Sequence, residues 1–187
     1  MTIDGGGKIY VTGEFNATVN FGGHTIWTTG SSDVFVACYD ANGNVLWVRK
    51  AGGSKEDRAR GIASAGNRIY ITGQFGQKAY FGPHTRTAAD NSDIFMACLD
   101  NAGNFLWVST VGGGADAPED LGYESGNAIC AQTNGNVYAT GSTLNGGQFG
   151  GTYLSAWTRT DVFVTKLISG TAPVSYTHLT LPTIYSV

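Results

Sequence analysis

The sequence predicts an all-β fold assembled from about three copies of one four-stranded antiparallel unit. Three observations predict it. Four sequence landmarks recur in step along the chain, β-branched and aromatic runs alternate with Gly- and Asn-rich turns, and no capped, helix-period apolar stripe interrupts them.

The landmarks fix the repeat. Lys8-Ile9-Tyr10-Val11-Thr12-Gly13 returns as Arg68-Ile69-Tyr70-Ile71-Thr72-Gly73 and as Asn136-Val137-Tyr138-Ala139-Thr140-Gly141, so the closing glycines stand 60 and then 68 residues apart. Asp33-Val34-Phe35-Val36-Ala37-Cys38 returns as Asp93-Ile94-Phe95-Met96-Ala97-Cys98 and as Asp161-Val162-Phe163-Val164-Thr165-Lys166 at the same offsets. Phe21-Gly22, Phe81-Gly82 and Phe149-Gly150 keep step, as do Trp47 and Trp107.

Each copy reads as four short strands. In the second they are Ile69 to Thr72, a segment around Lys78 to Phe81, Asp93 to Leu99, and Phe105 to Val108. The last two are joined by Asp100-Asn101-Ala102-Gly103-Asn104, as Asp40-Ala41-Asn42-Gly43-Asn44 joins the first copy's pair. An Asn-Gly step between such runs is a hairpin signal, since both residues tolerate positive φ. Both alternating faces of Val34 to Tyr39 are apolar, which predicts a strand buried on two sides, between neighbouring units. Four strands in about 60 residues fit an incomplete β-propeller of about three four-stranded antiparallel blades better than a solenoid of shorter coils.

The pattern Asp-Val-Phe-Val, then Asp-x-x-Gly-Asn-x-x-Trp, then Gly-Asn-x-Ile-Tyr-Ile-Thr-Gly-x-Phe and Phe-Gly resembles the bacterial SBBP-type β-propeller repeat over nearly all of residues 1–168. The resemblance implies a secreted or cell-surface bacterial protein, with about seven blades in the whole propeller and other modules attached. It does not imply catalysis. The third copy departs from the pattern: Lys166 stands where Cys38 and Cys98 do, and Leu167-Ile168-Ser169-Gly170 lacks the hairpin Asp and Asn.

Residues 174–183, Val-Ser-Tyr-Thr-His-Leu-Thr-Leu-Pro-Thr, resemble one reading frame of the transposon-end adapter used in sequencing libraries. That resemblance implies that 174–187 is a non-native tail and that Tyr176 and His178 carry no functional information. The expected organisation is therefore a repeat fragment over 1–173, with units near 1–60, 61–127 and 128–173, followed by the tail. Thr2-Ile3 align with Ile62-Ala63, so the chain is expected to begin inside a copy. A propeller cut open in this way is expected to expose apolar faces at both ends and to self-associate.

Composition narrows the function classes. Net charge is −3, which gives no basic footprint for nucleic acid. No run approaches the length of a membrane-spanning helix. No nucleophile–base–acid signature, zinc-binding His-Glu pattern or phosphate loop appears, so no cofactor is expected and the chain reads as non-enzymatic. Cys38, Cys98 and Cys130 read as small buried apolar residues, and His24 and His84 as structural or surface residues. Asp33, Asp93 and Asp161 read as carboxylates accepting backbone N–H bonds where a strand begins, with a calcium ligand in each unit as the alternative.

Five residues are candidates for ligand binding. Trp27 and Trp157 have no Trp counterparts in other copies. They suit stacking on a sugar ring or anchoring a protein, against burial at a blade edge. Asp116, Glu119 and Asp120 lie, with Glu124, in the long Gly-rich link after Trp107, where a cation or ligand would meet loop residues, against a solvated loop as the default. The expected function is a non-catalytic binding or scaffold module that meets a carbohydrate or protein through its loops. The alternative is the propeller part of an enzyme, such as a carbohydrate-active one, whose catalytic residues lie outside this chain.

Overall fold

The computed structural model describes residues 1–112, 124–144, 146–150, 152–154, 160–168 and 176–178, and within them the protein is all-β. The first unit contributes β1 (Thr2–Ile3), β2 (Ile9–Phe15), β3 (Val19–Phe21), β4 (His24–Ile26), β5 (Asp33–Tyr39) and β6 (Val45–Gly53). The second contributes β7 (Asp57–Ala65), β8 (Arg68–Phe81), β9 (His84–Asp100) and β10 (Phe105–Val111). The third contributes β11 (Ser125–Ala131), β12 (Asn136–Leu144), β13 (Gly147–Phe149), β14 (Thr152–Leu154), β15 (Thr160–Ile168) and β16 (Tyr176–His178).

Eight strands share one curled sheet, ordered β1-β2-β5-β6-β8-β9-β10 with β7 beside β8. The link between β6 and β8 is only two residue pairs wide, Gly52 with Tyr80 and Gly53 with Ala79. On either side of it lies a four-stranded antiparallel group, β1-β2-β5-β6 and β7-β8-β9-β10. A separate sheet, β11-β12-β15-β16, repeats the arrangement. β16 pairs with β15 and takes the position that β6 and β10 hold in their own groups. Because β7 and β11 straddle the approximate sequence boundaries at 60/61 and 127/128, pairing carries them whole into the second and third groups.

The recurring landmarks have a physical basis. Register repeats as Tyr10 opposite Cys38, Tyr70 opposite Cys98, and Tyr138 opposite Lys166. Thr12, Thr72 and Thr140 each donate a side-chain hydrogen bond, at 2.7, 2.9 and 2.7 Å, to the carbonyl of Phe35, Phe95 and Phe163. The Phe of each Phe-Gly landmark packs on that same strand Phe, with centroids 5.0, 4.9 and 5.0 Å apart. The Thr-Gly step leaves room for the ring: a Cβ on Gly13 or Gly141 would sit 2.9 or 2.8 Å from Phe35 or Phe163.

Two strand assignments are corrected. Lys78 to Phe81 is not a separate strand of the second unit. It is the far end of β8 and pairs with His84 to Thr87 as a side hairpin, matching β3–β4 and β13–β14. The fourth strand is β7 instead, whose Arg-Ala-Arg-Gly-Ile-Ala-Ser-Ala run has little β-branched or aromatic content to betray it. The hairpin turns also differ from expectation. In Asp40–Asn44 the carbonyl of Asp40 accepts the Gly43 N–H at 3.0 Å, and only Gly43 takes positive φ (84°), so Asn42 does not. The Asp40 carboxylate caps the turn by accepting the N–H groups of Asn42 (2.9 Å) and Asn44 (2.8 Å). Asp100 does the same for Ala102 and Asn104, both at 2.9 Å.

Two apolar cores lie between the groups. One unites Val34, Val36 and Cys38 of β5 with Ile69, Ile71, Phe95 and Leu99 of the second unit. The other unites Ile94, Met96 and Cys98 of β9 with Phe163 and Leu167 of β15. Strand β9 is thus buried on both faces, its alternate residues serving different cores. β5 carries the same pattern, yet Phe35 and Tyr39 on its second face remain partly exposed. Cys38 and Cys98 are buried as expected, and burial pushes the Cys98 thiol up to about 12. Cys130 is exposed, contrary to expectation, because its neighbour Ile129 is the residue of β11 that turns into the core.

Candidate functional site

Of the sequence-derived candidates Trp27 lies in the connection from β4 to β5, where the structure brings an aromatic platform beside a buried acid. Segment 27–32 runs from β4 into β5 and is pinned by Asp33. The fully buried Asp33 carboxylate accepts the Thr29 N–H at 2.7 Å and lies 3.5 Å from Lys50 Nζ. Asp93 matches the expectation in the same way, accepting the Ala89 N–H at 3.1 Å, and the side chain of Asp161 lies outside the described residues.

Lys50 reaches back from β6 and donates to the Trp27 carbonyl at 3.0 Å and to Thr29 Oγ1 at 2.6 Å. Its ammonium group stands 5.7 Å from the Trp27 ring centroid, a cation–π arrangement. The indole itself is 62 % exposed, which overturns the burial reading for this residue. Trp27 is therefore an outward-facing ring whose carbonyl is held by Lys50, with Thr29 two residues on held by Lys50 and Asp33.

Further along the same segment, Ser31 and Ser32 line a pocket of about 240 Å³ together with Glu14, Asn16, Glu56 and Arg58. Arg58 Nε lies 2.6 Å from Glu14 Oε2, and its Nη2 lies 3.3 Å from Glu56 Oε2. The Ser32 hydroxyl is buried at the pocket wall with no hydrogen-bond partner in the protein. A buried hydroxyl of this kind is one that a ligand atom or a water satisfies.

Beneath the pocket sits Asp57, which sequence reasoning missed. It is fully buried, and it accepts the Gly53 N–H at 2.7 Å and the Gly76 N–H at 3.1 Å, tying β6 and β8 to β7. Burial pushes its carboxyl up to about 7 against those two hydrogen bonds, with the charge of Asp33 adding to the rise. Gly52, at φ 145°, is what lets the two acids approach: a Cβ there would sit 2.5 Å from Asp33 Oδ1 and 2.8 Å from Asp57 Oδ2. In the third unit Glu124 is buried at the register position of Asp57. A signal existed in the sequence, since Ala51-Gly52-Gly53 recurs as Val111-Gly112-Gly113, each followed by an acid that opens the next strand.

Of the five candidates, only Trp27 is placed. Trp157, Asp116, Glu119 and Asp120 lie outside the described residues. His24 is exposed, and His84 is partly exposed with Nε2 3.2 Å from the Phe105 carbonyl. Among the described residues no three of His, Cys, Asp and Glu gather as metal ligands, and no helix is long and apolar enough to cross a membrane. No model of a known protein family matches the chain, and no curated protein is similar to it in sequence.

Proposed function

We propose that this chain is a non-catalytic binding or scaffold module, an incomplete β-propeller of about three blades of the SBBP type, belonging to a larger secreted or cell-surface bacterial protein. Three four-stranded antiparallel groups meeting face to face in two apolar cores support the blade reading. On that reading the adapter-like tail supplies β16, whose backbone pairs with β15.

One observation carries the binding role. The exposed Trp27 ring belongs to the same short segment as the serines lining the polar pocket. An exposed aromatic face in the same segment as a pocket of hydroxyl, amide, carboxylate and guanidinium groups suits a carbohydrate, which offers a C–H face for stacking and hydroxyls for hydrogen bonding. Lys50 and Asp33 then act as positioning residues for the platform.

Titrating the full chain with soluble neutral oligosaccharides, followed by calorimetry and Trp fluorescence, tests this reading. Binding that Trp27→Ala abolishes while leaving Tm unchanged is the expected result. Binding that survives Trp27→Ala, or no binding across a panel of plant and bacterial glycans, overturns it.

A further inference from the structure

The two apolar junctions in this molecule are the same interface used twice. In each, the Asp-x-Phe strand of one unit gives the residues at its second, fourth and sixth positions, and the strand of the next unit answers with its third and seventh. Val34, Val36 and Cys38 thus meet Phe95 and Leu99, and Ile94, Met96 and Cys98 meet Phe163 and Leu167. The interface is head-to-tail, so its two sides are different surfaces.

Among the described residues, one copy of each side meets no other unit. Ile9, Val11, Phe35 and Tyr39 of the first unit occupy the places of Ile69, Ile71, Phe95 and Leu99. The latter four are fully buried, while the former four are partly exposed. At the other end, Val162 is 63 % exposed where Val34 and Ile94 are fully buried, and Val164 is partly exposed where Val36 and Met96 are fully buried.

We propose that these two leftover faces bind one another between molecules, the third unit of one copy docking on the first unit of a second copy. Continuity with the internal junctions identifies the occupant, because each free face already has its complement, in chemistry and in spacing, elsewhere on the same chain. One position departs from the pattern. Lys166 stands where Cys38 and Cys98 sit, its ammonium 5.8 Å from the Tyr138 ring centroid. An ammonium group at a place where Cys38 and Cys98 are buried weakens the contact without abolishing it, since the lysine stem can lie along the surface and carry the charge to water. The intermolecular junction is accordingly weaker than the internal pair and depends on concentration. This inference is independent of any carbohydrate.

Sedimentation velocity on the full chain, over a wide range of concentration, is the test. The average mass is expected to rise with concentration, and Lys166→Leu to shift that rise at least tenfold lower. Val162→Glu, at a side chain exposed in the single molecule, is expected to remain monomeric with an unchanged circular dichroism spectrum. Tyr39→Glu is expected to do the same, with Val11→Glu as its substitute if Tyr39→Glu fails to fold. Mixing the two monomeric variants is decisive, since each retains the face the other has lost: a one-to-one dimer is expected. A chain that stays monomeric at every concentration overturns the proposal. So does association that Val162→Glu leaves intact, or a mixture that shows no dimer.

Discussion

Strands β5 and β9 carry nearly the same residues, Asp-Val-Phe-Val-Ala-Cys and Asp-Ile-Phe-Met-Ala-Cys, yet they live in different surroundings. β9 has a neighbouring unit on each face, and Ile94 to Leu99 are essentially removed from water. Among the described residues β5 has a neighbouring unit on one face only, and Val34, Val36 and Cys38 are buried while Phe35 and Tyr39 are partly wet. The difference teaches that a doubly apolar strand states a demand for two neighbours, and that position in the array decides whether both are met.

The largest expected effect tests that contrast directly. Phe95→Ala removes a fully buried ring packed 4.9 Å from Phe81, and a loss of about 3–5 kcal/mol is expected in urea denaturation. Phe35→Ala removes the equivalent ring from a partly wet face, and roughly half that loss is expected. Equal losses would show that the outer face of the first unit is covered as well as the middle one.

Next comes the junction acid. A carboxyl whose pKa in the fold, about 7, exceeds its unfolded value of about 4 keeps its proton after the unfolded chain has released its own. The contribution of Asp57 is therefore greatest below about pH 4, falls as the pH rises toward 7, and is constant above that. Asp57→Asn, which cannot ionise, should flatten that slope when Tm is followed across the window. An unchanged slope would place the titration elsewhere.

The turn acids have the opposite sign. Side-chain and backbone hydrogen bonds from Asn44 hold the Asp40 carboxyl below its usual range, and the corresponding bonds from Asn104 outweigh the burial that pushes Asp100 up. Their contribution is present above the ordinary carboxylate range and is lost as the pH falls through the lowered values. Asp40→Ala and Asp100→Ala should each cause a small loss near neutral pH, the larger at Asp100, because Gly103 is buried under Trp47 and the Asn101 and Ala102 carbonyls accept the Trp47 indole N–H at 3.0 Å and an Arg49 guanidinium N–H at 2.8 Å. Equal losses would mean that these contacts from the first unit add nothing to the second turn.

The last contrast separates the first junction from the second. Lys50 reaches Asp33 in the first, while Thr110 holds the matching place in β10. Lys50→Thr, which makes the two alike, should cost about 1–3 kcal/mol, because it removes the cation beside a fully buried carboxylate together with two hydrogen bonds. It should also change Trp27 fluorescence by releasing the ring's cationic neighbour. An unchanged emission spectrum would mean that the contact does not persist in solution.

Much of the fold was legible because the repeat exposes the residues that face a neighbour. The Thr-Gly step, the strand Phe and the Phe-Gly turn recur because they touch one another, so their spacing is itself a record of packing. Strands β7 and β11 were not legible, since small and polar residues pair by backbone there and leave no alternating apolar signal. Trp27 was legible as a candidate by its lack of counterparts, but its exposure depended on Lys50, twenty-three residues away in sequence and adjacent only in the fold. Asp57 was hidden for the same reason, its partners Gly53, Gly76 and Asp33 being gathered from three strands.

By itself the sequence determined the all-β class, the repeat and its register, the positions of the hairpin turns and the capping role of Asp33 and Asp93, because each of these rests on contacts between residues at a fixed separation along the chain. Only the tertiary structure decided which faces are covered, which Trp meets solvent and which carboxyl is denied it, because burial depends on how many neighbours surround a residue, and no single strand carries that number.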